Sequence, residues 1–300
     1  MLRKNFLILA FSIIASVSFA LPKTEDLEKI AAQNRARVGV AILPEEEEAI
    51  LLNNDERYPL MSVFKLHVAI AALKRIENEN LDLSEKIFVS EKDISKNTYS
   101  PLLKKYPNGN FEISIGETIA YAISLSDNNA CDILINFAGG IKKVESFIKS
   151  LGIEDLELCE TESSMHSDIL NSYNNWASPL SVVNLLKKVY TESILSEAHL
   201  NFLKKVLADT STGSDKLRAG LPSNTRLEHK TGHSDRTKSG LQIADNDAGV
   251  FYLPNGKACY ISVFVKDSHE SDTRNAKIIA DIAKLTYDSL FGKKENGQAR

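Results

Sequence analysis

Ser62 is followed three positions later by Lys65, Ser126-Asp127-Asn128 lies in mid-chain, and Lys230-Thr231-Gly232 comes near the end. These residue types suit attack of a serine hydroxyl on an amide carbonyl. Ser62 follows Tyr58-Pro59-Leu60-Met61 and opens a helical pattern, so its hydroxyl projects near the positive end of a helix dipole. Its backbone N–H lacks an intrahelical partner there and can face a developing oxyanion. Lys65, at i+3, shares its face. A lysine that is crowded by other cations and partly desolvated becomes a neutral base. Ser126 is the matching proton relay, and Lys230 the matching anchor for a substrate carboxylate. Gly232 has no side chain, which lets a ligand lie along the strand and pair with its backbone. The N–H of His233 then supplies a second oxyanion donor.

Each string alone is weak. A Ser-x-x-Lys match is expected about once by chance in a chain of this length. Ser146-Phe147-Ile148-Lys149 is such a match, mid-helix in an amphipathic pattern where both residues face water. Ser126, Asp127 and Asn128 are also common cap and turn residues. Lys230 and Gly232 also suit an edge strand with a bulge. Taken in order, on a helix start, an interhelix loop and a sheet strand, the three become a strong signal.

The elements that must carry them follow from periodicity. Residues 37–44 and 49–52 read as two strands around an acidic turn at 45–48. Leu66, Ala69, Ile70 and Leu73 give helical spacing over about 62–73. Ser114 and Glu117 have capping-box spacing before an apolar helix. Helices follow Asn128 and cover about 141–151, closed by Gly152. Residues 155–178 show no clear period and read as a long loop. Helical patterns return over 179–207. Strands are predicted at 227–234, 247–253 and 257–266, with a hairpin turn at Pro254-Asn255-Gly256, before a final helix over 273–290. Strands at both ends with helices between them imply an α/β fold of two lobes. One antiparallel sheet, flanked by the terminal helices, joins an all-α lobe. Residues 21–60 and 212–292 would form the discontinuous α/β lobe and 61–211 the helical one, with the site at their junction.

The chain has 300 residues, 43% hydrophobic and 25% charged, with a net charge of −4. That balance gives no reason to propose nucleic acid or an anionic membrane as partner. Arg3 and Lys4 precede an apolar run over 6–17, and Ser18-Phe19-Ala20 offers small residues for cleavage. The reading is a secretory signal over 1–20 with Leu21 as first mature residue, hence an exported chain, periplasmic or secreted. The polar stretch 293–300 reads as a disordered tail. Cys131 and Cys259 lie in apolar contexts and read as buried free thiols; Cys159 is the third cysteine. No C-x-x-C occurs, and the six histidines lack ligand spacing, so no metal site is predicted.

With those elements in place the chain resembles the class A serine β-lactamases over about residues 25–290, in the branch of extended-spectrum and Bacteroides-type cephalosporinases. The resemblance rests on Pro59-Leu60-Met61-Ser62-Val63-Phe64-Lys65, Tyr99-Ser100-Pro101-Leu102, Glu162-Ser163-Ser164-Met165-His166 and Tyr173-Asn174-Asn175-Trp176. It implies the two-lobe fold, hydrolysis of β-lactams, resistance that extends to cephalosporins, no cofactor and a monomer. Ser62 would be the nucleophile, Lys65 its proton acceptor or relay, and Ser126 the donor to the leaving nitrogen. Glu162 would activate the deacylating water. Whether Lys65 or Glu162, through water, takes the Ser62 proton stays open. Asn128 would contact the substrate's side-chain amide, Lys230 and Thr231 its carboxylate, and Tyr99 the rim. Ser234 resembles a residue associated with extended-spectrum activity. His166 stands where most members have a water-positioning asparagine, and an imidazole donates fewer hydrogen bonds than an amide. Glu160 and Asn175 replace the usual ion pair closing the loop, which implies a different, wider loop.

Three rivals share features. A D-Ala-D-Ala carboxypeptidase or transpeptidase would carry the same strings without a loop glutamate like Glu162. A non-hydrolysing β-lactam sensor would come with a transmembrane segment. A metal-dependent lactamase would need histidine spacing that is not present.

Overall fold

The computed structural model describes residues 21–291; the leader expected at 1–20 and the tail expected at 293–300 lie outside the described residues. Helix α1 (Thr24–Ala32) leads into β1 (Arg37–Pro44), β2 (Ile50–Leu52) and the short β3 (Tyr58–Pro59). Helix α2 (Phe64–Glu79) follows, then β4 (Lys86–Val89), α3 (Leu102–Lys105) and β5 (Phe111–Ser114). Three helices come next: α4 (Ile115–Ser124), α5 (Asn128–Phe137) and α6 (Ile141–Ser150). The stretch after them holds β6 (Leu156–Glu157), α7 (Glu162–Ser167), a 3₁₀ segment (Ile169–Asn174) and β7 (Trp176–Ala177). Helices α8 (Pro179–Thr191), α9 (Glu197–Ala208) and α10 (Leu217–Gly220) return the chain to β8 (Leu227–His233), β9 (Gln242–Tyr252) and β10 (Ala258–Ser268), and α11 (Asp272–Phe291) closes the fold.

The main sheet has the order β2-β1-β10-β9-β8 and is antiparallel throughout. Alternation along β1 and β10 sends side chains to two cores, as the two-residue period of a strand requires. Val38, Val40, Ile42, Ile261, Val263 and Val265 pack against Leu27 of α1 and the Ile278, Ile279 and Ile282 face of α11. Ala41, Leu43, Tyr260 and Phe264 join the helical core on the other face. At the centre of that core α2 is buried from Phe64 to Leu73. A helix enclosed on all sides is apolar around its whole circumference, so the charged Lys65 within it is conspicuous. Ser114, Asp127, Ser178 and Ser196 cap four of the helices, accepting from the N–H three residues on.

Several expectations need correction. Residues 155–178 are a series of short elements in which β7 pairs with β3 on one side and β6 on the other; pieces of two to six residues are too short to show a period. Strands β4 and β5 pair antiparallel across the segment that holds α3, a long-range pairing absent from the periodicity. Strand β9 begins at Gln242, five residues before the predicted start, because Asp245, Asn246 and Asp247 are buried strand residues. Ser114 accepts from Glu117 N–H as a cap, but the Glu117 carboxylate pairs with Lys105.

Candidate active site

Each predicted string is placed by a different element. The chain reaches Ser62 through Met61, whose φ is +46°, a left-handed conformation that a side chain disfavours. One 3₁₀ turn (Met61–Val63) then feeds α2. This puts Ser62 at the tip of the helix and Lys65 on its first turn. Ser126, also left-handed at φ +58°, precedes Asp127. That carboxylate caps α5 through Ala130 N–H and accepts from Leu102 N–H and Ser100 Oγ, tying down the loop that carries Tyr99. The cap reading of the triplet therefore holds for Asp127, while Ser126 and Asn128 face the cleft. Lys230 comes from β8, at the edge of the main sheet.

The reactive groups converge. Lys65 Nζ donates to Ser62 Oγ at 3.0 Å, Ser126 O at 2.7 Å and Asn128 Oδ1 at 2.7 Å. It stands 3.0 Å from Glu162 Oε1, close but poorly aligned for a hydrogen bond. Lys230 Nζ donates to Ser126 Oγ at 2.9 Å and Thr231 O at 2.9 Å. Lys65 and Lys230 are both fully buried. Burial, and then the Lys65 charge, push the Lys230 amine well below its ordinary range. Above them opens a cleft of about 670 Å³ lined by Ser62, Tyr99, Ser126, Asn128, Glu162 and Thr231, among others.

Glu162 is the first residue of α7. Thr161 caps that helix, and Ser164 Oγ returns a bond to Thr161 N–H. Asp132 of α5 accepts from the N–H groups of Glu162 (2.8 Å) and Ser163 (2.9 Å). An amide closes the base of the loop in place of an ion pair: Asn175 Oδ1 accepts from Cys159 and Glu160 N–H, and its Nδ2 donates to Glu160 O. Burial, opposed by the two N–H donors and reinforced by the Glu162 charge, pushes the Asp132 carboxyl up to about 6. A carboxyl that holds its proton more tightly when folded stabilises the fold fully below its unfolded value near 3.8, and that contribution is lost as pH rises through about 6. Asparagine does not titrate. The stability of Asp132→Asn relative to wild type should therefore improve by up to about 3 kcal/mol between pH 4 and pH 7. Denaturant melts at the two pH values measure this, and a constant difference would show that Asp132 ionises as it does in the unfolded chain.

Three predicted residues differ in how they meet the cleft. Gly232 is required from behind, since a Cβ there would lie 2.5 Å from Leu60 O in the turn that delivers Ser62. Ser234 is buried, with its Oγ accepting from Ala244 N–H, and is outside the cleft lining. His166 is exposed on the cleft wall. Tyr99 stands 59% exposed at the rim, and His233 lines the cleft. Cys131 and Cys259 are buried free thiols, and Cys159 is free and partly covered.

Sequence reasoning missed Lys216. Its Nζ donates to Asp245 Oδ1 at 2.5 Å and to Gly232 O at 3.2 Å, and it lines the cleft beside Thr231 and His233. Asp245 is also 3.2 Å from His233 Nδ1. Although burial opposes it, His233 and Lys216 hold the Asp245 carboxyl below its ordinary range. Thr212 Oγ1 lies 2.6 Å from Thr231 Oγ1. No motif surrounds Lys216 in the sequence. Among the described residues no cluster of three or more His, Cys, Asp or Glu side chains is arranged to hold a metal, and no helix is long and apolar enough to cross a membrane.

Residues 22–290 match a family described as the beta-lactamase enzyme family. A β-lactamase of Bacteroides uniformis is 41% identical over 284 residues, covering 93% of this chain and 96% of that one. The β-lactamase VEB-1 of Pseudomonas aeruginosa is 36% identical, covering 97% and 99%. Among solved structures, the TLA-3 extended-spectrum β-lactamase superposes with a TM-score of 0.87 at 43% identity, over 89% of this chain and 97% of that one. A class A β-lactamase representative from Bacteroides cellulosilyticus gives 0.86 at 44% identity, over 89% and 96%.

Proposed function

The chain belongs to the β-lactamase enzyme family, in its class A serine branch that hydrolyses β-lactams and confers resistance to them, and from that premise we propose which atoms do the work. The observation that carries the assignment is the meeting of Ser62, Lys65, Ser126, Glu162 and Lys230 around one amine–hydroxyl network. Glu162 takes a proton from Lys65, 3.0 Å away. The neutral amine then takes the Ser62 proton across 3.0 Å as Oγ bonds to the lactam carbonyl carbon. The N–H groups of Ser62 and His233 hold the oxyanion. When the C–N bond breaks, Ser126 gives its proton to the nitrogen and regains one from Lys65, and Glu162 returns its proton to Lys65. In the second half Glu162 deprotonates a water as its oxygen bonds to the ester carbonyl carbon, and when the C–Oγ bond breaks the proton passes from Glu162 to Ser62 Oγ, restoring both groups.

The substrate carboxylate meets Thr231 with Lys230 beneath it, and Lys216 adds a third group on the same wall. Asn128 and Tyr99 contact the acyl side chain, and His166 borders the path of the hydrolytic water. The open cleft and the names of the extended-spectrum relatives support a range that includes oxyimino-cephalosporins. Residues 21–60 with 212–292, and 61–211, act as two lobes with the cleft between them. We further propose a monomer, without cofactor, exported after cleavage near Ala20-Leu21.

Steady-state kinetics on one penicillin and one oxyimino-cephalosporin test the range. Turnover of both at kcat on the order of 1–10³ s⁻¹ is expected. Rapid acylation of wild type followed by no release of product would instead favour the transpeptidase or sensor reading.

A further inference from the structure

Asn246 lies on β9 opposite Gly232 of β8 and is fully buried. Its Nδ2 donates to Pro59 O at 2.8 Å and to Leu60 O at 3.2 Å. Two carbonyl partners fix the orientation of the amide, because its own oxygen could bond to neither. Oδ1 has no hydrogen-bond partner among the described residues. A buried acceptor left unpaired costs stability, so this residue is a poor choice for a purely structural fastening.

Both carbonyls belong to the turn that delivers Ser62. That turn contains Met61 at φ +46°, which a free chain would relax. Gly232 presses on it from the strand: a Cβ there would lie 2.5 Å from Leu60 O, 3.0 Å from Met61 Cβ and 3.3 Å from Ser62 N. One residue beyond Gly232 is the His233 N–H, and one residue beyond Met61 is the Ser62 N–H. The Asn246 amide is thus a polar link between the sheet and the turn at the point where the two oxyanion donors meet.

We propose that Asn246 is a positioning residue for acylation, its side-chain amide holding the strained 59–61 turn against β8 so that Ser62 Oγ and the two N–H donors keep their spacing. This rests on Ser62 being the nucleophile. An error of an ångström in such a constellation costs about 100-fold, and loss of one oxyanion donor about 10²–10³-fold.

The test compares wild type with Asn246→Ala and Asn246→Asp, using a chromogenic cephalosporin for acylation and a boronic acid that forms a tetrahedral adduct on Ser62. Asn246→Ala should acylate about 10- to 100-fold more slowly and bind the boronate more weakly by a similar factor. Ground-state affinity for the cephalosporin should stay within about threefold, because substrate and transition state differ in their demand on the oxyanion donors. Asn246→Asp keeps the shape but turns an acceptor toward two carbonyls, so its loss should be at least as large; it also carries the comparison if the alanine variant does not fold. Acylation within about twofold of wild type in both would overturn the proposal, as would a loss traced wholly to unfolding, with boronate affinity of the folded fraction unchanged. A wild type that forms no adduct on Ser62 would instead refute the nucleophile assignment on which the proposal rests.

Discussion

Ser62→Ala abolishes covalent labelling by a cephalosporin and lowers turnover by about 10⁴-fold or more, while the protein stays folded. The size follows from the way such groups act together: once the nucleophile is gone, an amine and a carboxylate poised to serve it have nothing to activate. The other hydroxyl in the network cannot substitute without losing its own task. Ser126 Oγ is 2.9 Å from Lys230 Nζ and 3.5 Å from Lys65 Nζ, placed to pass protons to the far side of the scissile bond. The fold should be nearly indifferent. Lys65 keeps Ser126 O and Asn128 Oδ1 as acceptors, and Ser62 is only partly buried, so the change in stability should stay within about 1 kcal/mol. Intact-mass analysis after exposure to drug, beside a thermal melt, separates the two effects. An adduct of unchanged yield on the alanine variant would move the nucleophile elsewhere.

The parts of this site that were legible in the sequence are those whose local pattern and chemistry agree. Ser62 stands where an apolar helix begins, Ser126 between two helices and Lys230 in a strand; order and context together brought them to one cleft. What escaped were residues whose type argues against their true setting. Asp245 and Asn246 fall outside the strand predicted from Asp247, yet with Asp247 they are buried on β9. Each has a partner near the site: Lys216 for Asp245, the Ser62 turn for Asn246, and His229 for Asp247. Polar residues inside a strand cost stability unless they are paired, so a local rule fails here because function requires it to. Asp132 escaped for another reason. It sits on the first turns of an ordinary amphipathic helix, and its bonds run to N–H groups 30 and 31 residues away, a distance that no periodicity records. Gly232 was singled out for the backbone that its missing side chain exposes; that packing against Leu60 O also requires a glycine is a long-range contact that no local pattern records.

Removing the Glu162 carboxylate should split the reaction in two. In Glu162→Ala the acyl-enzyme forms and persists, deacylation falls by about 10²–10⁴-fold, and the adduct on Ser62 is visible by mass spectrometry minutes after mixing. The loop should survive the change, because what holds residue 162 in place is backbone. Asp132 accepts from its N–H and from that of Ser163, the Thr161 cap engages Ser164, and Asn175 closes the base. None of these bonds uses the Glu162 side chain. Lys65 likewise keeps three oxygen partners at 3.0 Å or less, so its amine stays in place; acylation slows because Glu162 no longer takes the Lys65 proton, but by less than deacylation, which loses its base outright. The asymmetry between the halves is what distinguishes a hydrolase from its rivals. In a transpeptidase or sensor the wild type already accumulates the adduct, and loss of the carboxylate changes little. Here wild type should turn over with little adduct present, and the alanine variant should behave like those rivals. Product release by Glu162→Ala at the wild-type rate would mean that water is activated by another group. The exposed His166 on the same wall would then be the first residue to replace.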